Sequence, residues 1–180
     1  MYHIQGDKRV QASVQLITQA LLELLEEKPF SRITVADLQR RSTVSRSTFY
    51  RCFDRTEDVL AYLCDTGFDK VLEQDLPDAQ TLSTEVFRYW MRNTAVLEAL
   101  VEVRRTDILF ASLRRCLSRM DHFPALSDSA AENDYFIAIV TSVITGILTT
   151  WIEHGKQETE EQVFERVSAG MVSAILLVAG

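Results

Sequence analysis

Between residues 34 and 60, the sequence concentrates the side chains that DNA-binding proteins use to contact bases and phosphates. Short hydroxyl side chains at the start of a helix can approach base edges closely, and the helix start itself favours phosphate oxygens. Guanidinium groups add charge-assisted hydrogen bonds to phosphates. The residues that we expect to contact DNA are Thr34, Ser45, Arg46, Ser47, Thr48, Tyr50, Arg51 and Arg55.

Two short helices joined by a tight turn are predicted to position these side chains. Thr34 and Asp37 have the spacing of a capping box, so a helix is predicted from there to about Arg41. The next three residues break the pattern, and Ser45 can cap a second short helix that runs through Phe53. A turn of about three or four residues between two helices is typical of the helix-turn-helix.

The second of these helices is predicted to have two different faces. Phe49 and Phe53 lie on one side of a helical wheel, and the other side carries Ser47, Thr48, Tyr50 and Arg51. We therefore expect the aromatic side to be buried and the polar side to face DNA. Cys52 lies in the same helix, and we interpret it as a small packed side chain, with a redox switch as the alternative.

The charge distribution separates this region from the rest of the chain. The whole chain carries a net charge of -7 and has a pI of about 5.0, which argues against a generic nucleic-acid binder. Residues 1–60 are near neutral at +1, whereas residues 61–180 carry -8. Between residues 30 and 55 there are 6 arginines against two aspartates. Local positive charge in an acidic molecule suits a site-selective DNA-binding protein.

Hydrophobic periodicity predicts helices along the remaining sequence, and no segment has the alternation of a strand. The first helix carries apolar residues from Val10 to Leu24 at spacings of three and four, and it must end before Pro29. A long linking helix is predicted over 56–75. Further helices are predicted near residues 83–93, 94–103, 106–120, 130–153 and 160–178.

The segment STVSRSTFYRCFDRTEDVL, residues 42–60, resembles the signature of the TetR/AcrR family of bacterial one-component transcriptional regulators. The resemblance implies an all-α fold with a three-helix, helix-turn-helix DNA-binding head, residues 1–55, before a helical ligand-binding and dimerisation domain, residues 56–180. It also implies that Tyr50 contacts phosphate. A member of this family is most often a cytoplasmic repressor that binds a palindromic operator as a homodimer and is released by a small-molecule effector.

Two residues differ from the pattern that the resemblance implies. Thr43 stands where the family most often has glycine, so either this β-branched residue accepts the same backbone or the turn has another shape. Thr56 stands where a lysine usually begins the fourth helix and contacts phosphate, which leaves Arg55 as the cation that could substitute. A TetR-like interaction module with weak or no operator binding is therefore the alternative function.

An uncharged segment from Tyr135 to Ile152 raises the question of a membrane. Its 18 residues approach the roughly 20 that span a bilayer. However, threonines dilute its hydrophobicity, Asp134 and Glu153 bracket it, and no basic flank follows. We therefore expect no membrane insertion, and we expect the last two helices to pack against those of a second subunit. Two-fold pairing of this kind makes a palindromic operator the natural DNA partner.

Aromatic and sulfur side chains in the second half of the chain could line an effector pocket or fill the core. The candidate pocket residues are Phe87, Trp90, Phe110, Met120, Tyr135 and Trp151. The resemblance implies a small-molecule effector at such a site, or a partner protein as in some relatives.

No group of residues has the spacing of a catalytic or metal site. The three histidines lie far apart, no glycine-rich phosphate loop is present, and the three cysteines fit neither a metal site nor a disulfide framework. We therefore expect no enzymatic activity, no metal and no cofactor, and we expect the cysteines to be reduced thiols.

Overall fold

Helices form almost all of the structure, a computed structural model that describes residues 2–4, 8–74, 79–119, 130–167 and 170. These residues contain no strand, and a single antiparallel backbone bridge joins Tyr2 to Phe53. One turn of 3₁₀ helix, Phe30–Arg32, lies between the first two α-helices. The α-helices are α1 (Lys8–Glu27), α2 (Val35–Ser42), α3 (Arg46–Cys52), α4 (Thr56–Leu72), α5 (Ala79–Arg92), α6 (Thr94–Glu102), α7 (Thr106–Leu117), α8 (Ala130–Glu153) and α9, residues 160–167.

The predicted all-α fold is confirmed, and most predicted helices are found close to their expected positions. The ends of α2 and α3 differ from the predicted ends by one residue each, and α8 has the predicted bounds. The linking helix α4 ends at Leu72 rather than at residue 75. Of the last predicted helix, 160–178, residues 168, 169 and 171–178 lie outside the described residues. The proposed division between residues 55 and 56 stays a prediction.

The head is built from α1, α2 and α3 around a small apolar core. Val14, Ile17 and Leu21 of α1, Leu38 of α2 and Phe49 of α3 are each no more than 1% exposed. Burying a side chain of this size contributes about 1.5–3 kcal/mol. The apolar stripe predicted on α1 therefore holds the two helices of the helix-turn-helix together.

The body is a helical bundle in which α4 packs along α7, and α8 packs against α5, α6 and α7. The rings of Phe68 on α4 and Trp90 on α5 lie 5.1 Å apart. A Cβ atom at Gly67 would lie 3.0 Å from Tyr89 Cε1 and 3.1 Å from Trp90 Cζ2, so glycine permits this close approach of the two helices. Because α1 also contacts α4 and α6, the head rests directly on the body.

Among the described residues, the long apolar helix α8 is packed against α5, α6 and α7 and leaves part of its surface exposed. The segment Glu132–Glu153 contains an 18-residue window with a mean hydropathy of 1.8, and among the described residues it is the one helix long and apolar enough to cross a membrane by length and composition. Only 22% of that window is buried. Tyr135 and Ile139 are 75% and 60% exposed. A large apolar surface of this kind marks a site of association.

Candidate nucleic-acid interface

The start of α3 is organised by hydroxyl groups. Ser45 is the N-cap, and its Oγ accepts a hydrogen bond from the amide of Thr48 at 3.2 Å, which confirms the predicted cap. The same Oγ lies 3.0 Å from Ser47 Oγ and 2.9 Å from Thr48 Oγ1. Three hydroxyls therefore form a hydrogen-bonded cluster at the helix N-terminus, where the backbone amides favour an anion.

The two faces predicted for α3 are confirmed by the burial of its side chains. Phe49, Cys52 and Phe53 are at most 1% exposed, and the Phe49 and Phe53 rings lie 5.9 Å apart. Among the predicted contact residues of α3 and its cap, Ser45, Arg46, Ser47, Tyr50 and Arg51 are exposed, whereas Thr48 is half-buried. The apolar side thus fixes the helix in the head and leaves the polar side open.

The turn before α3 has the backbone conformation that favours glycine. Thr43 ends α2 with φ 58° and ψ 10°, in the left-handed region. Ser42 supports the turn, since its Oγ donates to the carbonyl of Leu38 at 2.6 Å and accepts from the amide of Val44 at 3.2 Å. Of the two alternatives for Thr43, the structure therefore shows that the β-branched residue accepts this backbone.

The start of α2 is held by the predicted capping box. Asp37 Oδ2 accepts from the Thr34 amide at 3.0 Å, and Thr34 Oγ1 accepts from the Asp37 amide at 3.2 Å. Lys28 Nζ lies 2.8 Å from Asp37 Oδ2. The hydrogen bonds from Lys28 and from Thr34 hold the pKa of the Asp37 carboxyl well below its usual value. The Thr34 hydroxyl is exposed but already serves this cap.

Internal carboxylates neutralise two of the arginines near the helix-turn-helix. Arg40 pairs with Asp37, and Arg41 pairs with Glu27 at 2.6 Å and with Glu23 at 3.3 Å. These two carboxylates raise the pKa of Arg41. The positive charge available to DNA is therefore smaller than the sequence count suggests.

Two exposed arginines of α3 remain without a carboxylate partner in the described part of the chain. The guanidinium of Arg46 lies over the ring of Tyr50, 5.2 Å from its centroid, and its Nη2 lies 3.4 Å from the Tyr50 hydroxyl. Arg51 has no ion pair among the described residues. Both side chains can therefore form ion pairs with phosphates without first breaking an internal ion pair.

The junction between α3 and α4 is capped by a buried carboxylate. Asp58 is 6% exposed, and its Oδ2 accepts from the amides of Asp54 at 3.0 Å and Arg55 at 3.2 Å. The Arg55 guanidinium lies 3.7 Å from Asp58 Oδ1. Thr56 donates its hydroxyl to Glu57. Arg55 is thus partly engaged inside the head, although its side chain is 59% exposed.

The N-terminal residues form a contact that the sequence did not indicate. The amide of His3 donates to the carbonyl of Cys52 at 2.8 Å, and the Tyr2 hydroxyl donates to Asp65 at 2.5 Å. Arg115 of α7 also binds Asp65, at 2.7 Å. Burial and the hydrogen bond to Asp65 raise the pKa of Tyr2, so the phenol keeps its proton. This arm joins the end of α3 to α4 and α7.

The six predicted pocket residues are not gathered around one cavity in the described part of the chain. Phe87 and Trp90 are buried core residues, and Phe110 lines a groove of about 700 Å³ beside Tyr2. Trp151 lines a separate cavity of about 240 Å³ between α8 and α9. Tyr135 is exposed, and Met120 lies outside the described residues.

The cysteines are packed side chains. Cys52, Cys64 and Cys116 are all free and buried. Burial raises the pKa of each thiol, to about 12 for Cys116. The described residues contain no group of three or more His, Cys, Asp or Glu side chains that could hold a metal ion. The structure supports the interpretation of Cys52 as a packing residue, because a buried protonated thiol is unreactive.

The head matches a known family. Residues 17–63 correspond to the bacterial regulatory proteins of the tetR family. No curated protein sequence matches the chain.

Three solved structures share the fold over most of the chain. Lin0861 from Listeria innocua is 20% identical, with a TM-score of 0.68, over 97% of this chain and 96% of that one. A TetR transcriptional regulator from Streptococcus agalactiae 2603V is 22% identical, with a TM-score of 0.61, over 89% and 94%. The dihydroxyacetone kinase operon activator DhaS is 16% identical, with a TM-score of 0.62, over 92% and 97%. The helix-turn-helix geometry agrees with the family match, so residues 17–63 form a DNA-binding head of the tetR type, and the chain as a whole shares the fold of these three structures.

Proposed function

We propose that this regulator binds a palindromic operator as a homodimer and represses the genes beside it. The observation that carries the proposal is the exposed tip of α3, where Ser47 stands beside Arg46 and Arg51, two cations without a carboxylate partner in the described residues. Exposed hydroxyls suit base edges, and unpaired guanidinium groups suit phosphates. This role involves no catalysis, and it belongs in the cytoplasm.

We assign different roles to the contact residues. Ser47 and Thr48 are proposed to read base edges, since they lie in the first turn of α3. The phosphate contacts are proposed to come from Thr34, Ser45, Arg46, Tyr50, Arg51 and Arg55. Arg55 contributes least in this proposal, because Asp58 competes for its guanidinium.

The second subunit is proposed to cover the apolar side of α8. The exposed side chains of Tyr135 and Ile139 and the open cavity lined by Gly146, Trp151 and Val163 lie on this part of the body. Pairing α8 and α9 around a two-fold axis would remove this surface from water and present two copies of α3 to DNA. The two reading helices would then sit about 34–36 Å apart, or a similar multiple.

The first test is selection of bound fragments from genomic DNA by the purified protein. A palindromic consensus would support the proposal, whereas enrichment of no sequence would contradict it.

Once an operator is known, the salt dependence of operator binding provides a second test. If two arginines per subunit supply the phosphate ion pairs, log Kd should change with log salt concentration with a slope of about 4 for the dimer. A slope near 1 would contradict this arrangement.

Substitutions separate base reading from phosphate contact. Ser47→Ala should change the base preferred at one position in each half-site, while Arg51→Ala should weaken binding to all sequences and reduce the salt slope. Arg92→Ala is a matched control, because Arg92 is an exposed arginine at the end of α5. Equal loss on operator and random DNA for Ser47→Ala would contradict its assigned role.

A small-molecule effector is proposed to act in the body between α5 and α8. Three buried polar atoms on these two helices, Trp90 Nε1, Thr145 Oγ1 and Thr149 Oγ1, have no hydrogen-bond partner among the described residues. An unpaired buried donor costs about 1–3 kcal/mol, which a ligand with an acceptor group would relieve. Such a ligand would release DNA if it binds better to a state in which the two heads no longer match the operator.

A regulator that responds to a partner protein is the second candidate. It is favoured by the packing of Phe87 and Trp90 into the core, because the predicted pocket residues that the structure describes then share no common cavity. The similar protein named an operon activator also makes activation a candidate direction of regulation. Release of labelled operator by the dialysable fraction of a host extract would support the small-molecule effector. If only the protein fraction releases the labelled operator or strengthens its binding, this alternative is supported. A reporter gene beside the operator would show whether regulation is repression or activation.

A further inference from the structure

A carboxylate of the body is hydrogen-bonded to the turn that precedes the helix-turn-helix. Glu102 is the last residue of α6. Its Oε2 accepts from the amide of Phe30 at 2.8 Å, and its Oε1 lies 3.3 Å from the amide of Ser31 and 2.5 Å from the Ser31 hydroxyl. One side chain thus accepts three hydrogen bonds from a segment about seventy residues earlier in the sequence.

The segment that Glu102 binds is rigidly connected to the reading head. The Phe30 side chain is 4% exposed, and the neighbouring Ile33 is 5% exposed, so both are anchored in the core. The amide of Ile33 donates to the carbonyl of Phe30 at 2.8 Å, and α2 begins two residues later. Hydrogen bonds to an ionised acceptor are roughly twice as strong as neutral ones. A shift of Glu102 would therefore be passed to α2 and α3.

Helix α6 connects the head to α8, which carries the proposed dimer surface. The helix that carries Glu102, α6, packs against α8 and contacts both α1 and the 3₁₀ turn. We infer that Glu102 is a positioning residue that sets the angle between head and body, and hence the separation of the two reading helices. This inference rests on the proposed function, in which two heads bind one operator.

If Glu102 is a positioning residue, its loss should affect binding to a full palindrome differently from binding to a single half-site. A single half-site engages one head, so its affinity should not depend on the head-to-body angle. A full palindrome requires both heads at one separation, and its apparent affinity falls with the fraction of molecules that hold that separation. Loss of the Glu102 contacts should therefore weaken binding to the full palindrome alone.

The experiment compares Glu102→Ala and Glu102→Gln with the wild-type protein on three DNAs. These are the selected palindrome, a palindrome with one base pair added between its half-sites, and a single half-site. Glu98→Ala is the matched control, because Glu98 lies one turn earlier on α6 and pairs with Lys156 of the body at 2.5 Å. Glu102→Ala should weaken full-site binding about tenfold and reduce the preference for correct spacing, with half-site binding unchanged. The full-site affinity of Glu102→Gln should lie between those of Glu102→Ala and the wild type. Glu98→Ala should bind all three DNAs like the wild type.

A second measurement does not involve DNA. Spin labels at the exposed position Ala36, introduced as Ala36→Cys, report the distance between the two heads of a dimer. The distance distribution should broaden in Glu102→Ala and stay narrow in Glu98→Ala. If the wild type selects no operator but the distances behave in this way, the proposed function fails and the positioning role stands. If Glu102→Ala lowers the melting temperature while the full-to-half-site ratio and the distances stay unchanged, the role of Glu102 is only structural and the inference is overturned.

Discussion

Replacing Thr43 with glycine should stabilise this protein, although the substitution removes a side chain. Thr43 lies in the turn between α2 and α3 with φ 58° and ψ 10°. In this left-handed region the Cβ atom approaches the following carbonyl oxygen, and glycine avoids that contact. The Thr43 side chain is exposed, and no contact inside the described part of the chain depends on its hydroxyl. The substitution therefore relieves strain and loses little.

The expected size follows from two opposing effects. A residue other than glycine in the left-handed region costs about 1–2 kcal/mol, and a β-branched side chain lies at the upper end. Glycine adds conformational freedom to the unfolded chain, which costs about 0.5–1 kcal/mol. The free energy of unfolding should therefore rise by about 1–1.5 kcal/mol. For a chain of this length, that corresponds to an increase of about 2–6 °C in melting temperature.

Urea unfolding measures this change directly. The midpoint should rise for Thr43→Gly while the dependence of the free energy on urea concentration stays the same. Ala36→Gly is the matched control, because Ala36 is exposed in the first turn of α2, where glycine should lower the free energy of unfolding by up to about 1 kcal/mol. Operator affinity should be unchanged, since the turn keeps its conformation. A midpoint lowered by Thr43→Gly, as by Ala36→Gly, would refute the reasoning.

Three further substitutions or reactions test other parts of the structure. Tyr2→Phe removes the hydrogen bond to Asp65 and should lower the free energy of unfolding by about 1 kcal/mol in urea titrations; no change would show that the arm adds no stability. Cys52 should react with a thiol reagent only after unfolding, because it is fully buried with a raised pKa, so rapid labelling of the native protein would contradict its packing role. Thr34→Val removes the cap that accepts from the Asp37 amide and should destabilise the protein by about 1 kcal/mol, and a stability equal to the wild type would show that the cap is dispensable.

The features that the sequence predicted well depend on residues that are close together in the chain. The caps at Thr34 and Ser45 involve partners three residues away, and the two faces of α3 follow from helical spacing. The long helix α8 was predicted with its observed bounds, and no charged residue interrupts its sequence from Tyr135 to Ile152. Local patterns of this kind carry most of the information about helix boundaries.

Contacts between distant residues left no such pattern. Tyr2 and Asp65 are 63 positions apart, and Ser31 and Glu102 are 71 positions apart. A tyrosine near the N-terminus or a glutamate at a helix end is an ordinary exposed residue in the sequence. The effector candidates show a related limit, since helical periodicity indicates that Trp90 faces inwards but not whether it meets a ligand or its own core.

Ion pairs around α3 reduce the positive charge that the count of arginines in the sequence suggests. The count suggests a strongly basic patch, yet Arg40, Arg41 and Arg55 are held by carboxylates of α1, α2 and α4. These ion pairs lie within the head or join it to α4, while Arg46 and Arg51 have no carboxylate partner in the described part of the chain. In the proposed dimer, a few phosphate contacts would provide little sequence-independent affinity, so operator binding would depend on having both heads correctly placed at once. A small number of unpaired cations would limit the affinity of this acidic protein for random DNA. It would also make the affinity for the operator sensitive to the contacts that fix the head against the body.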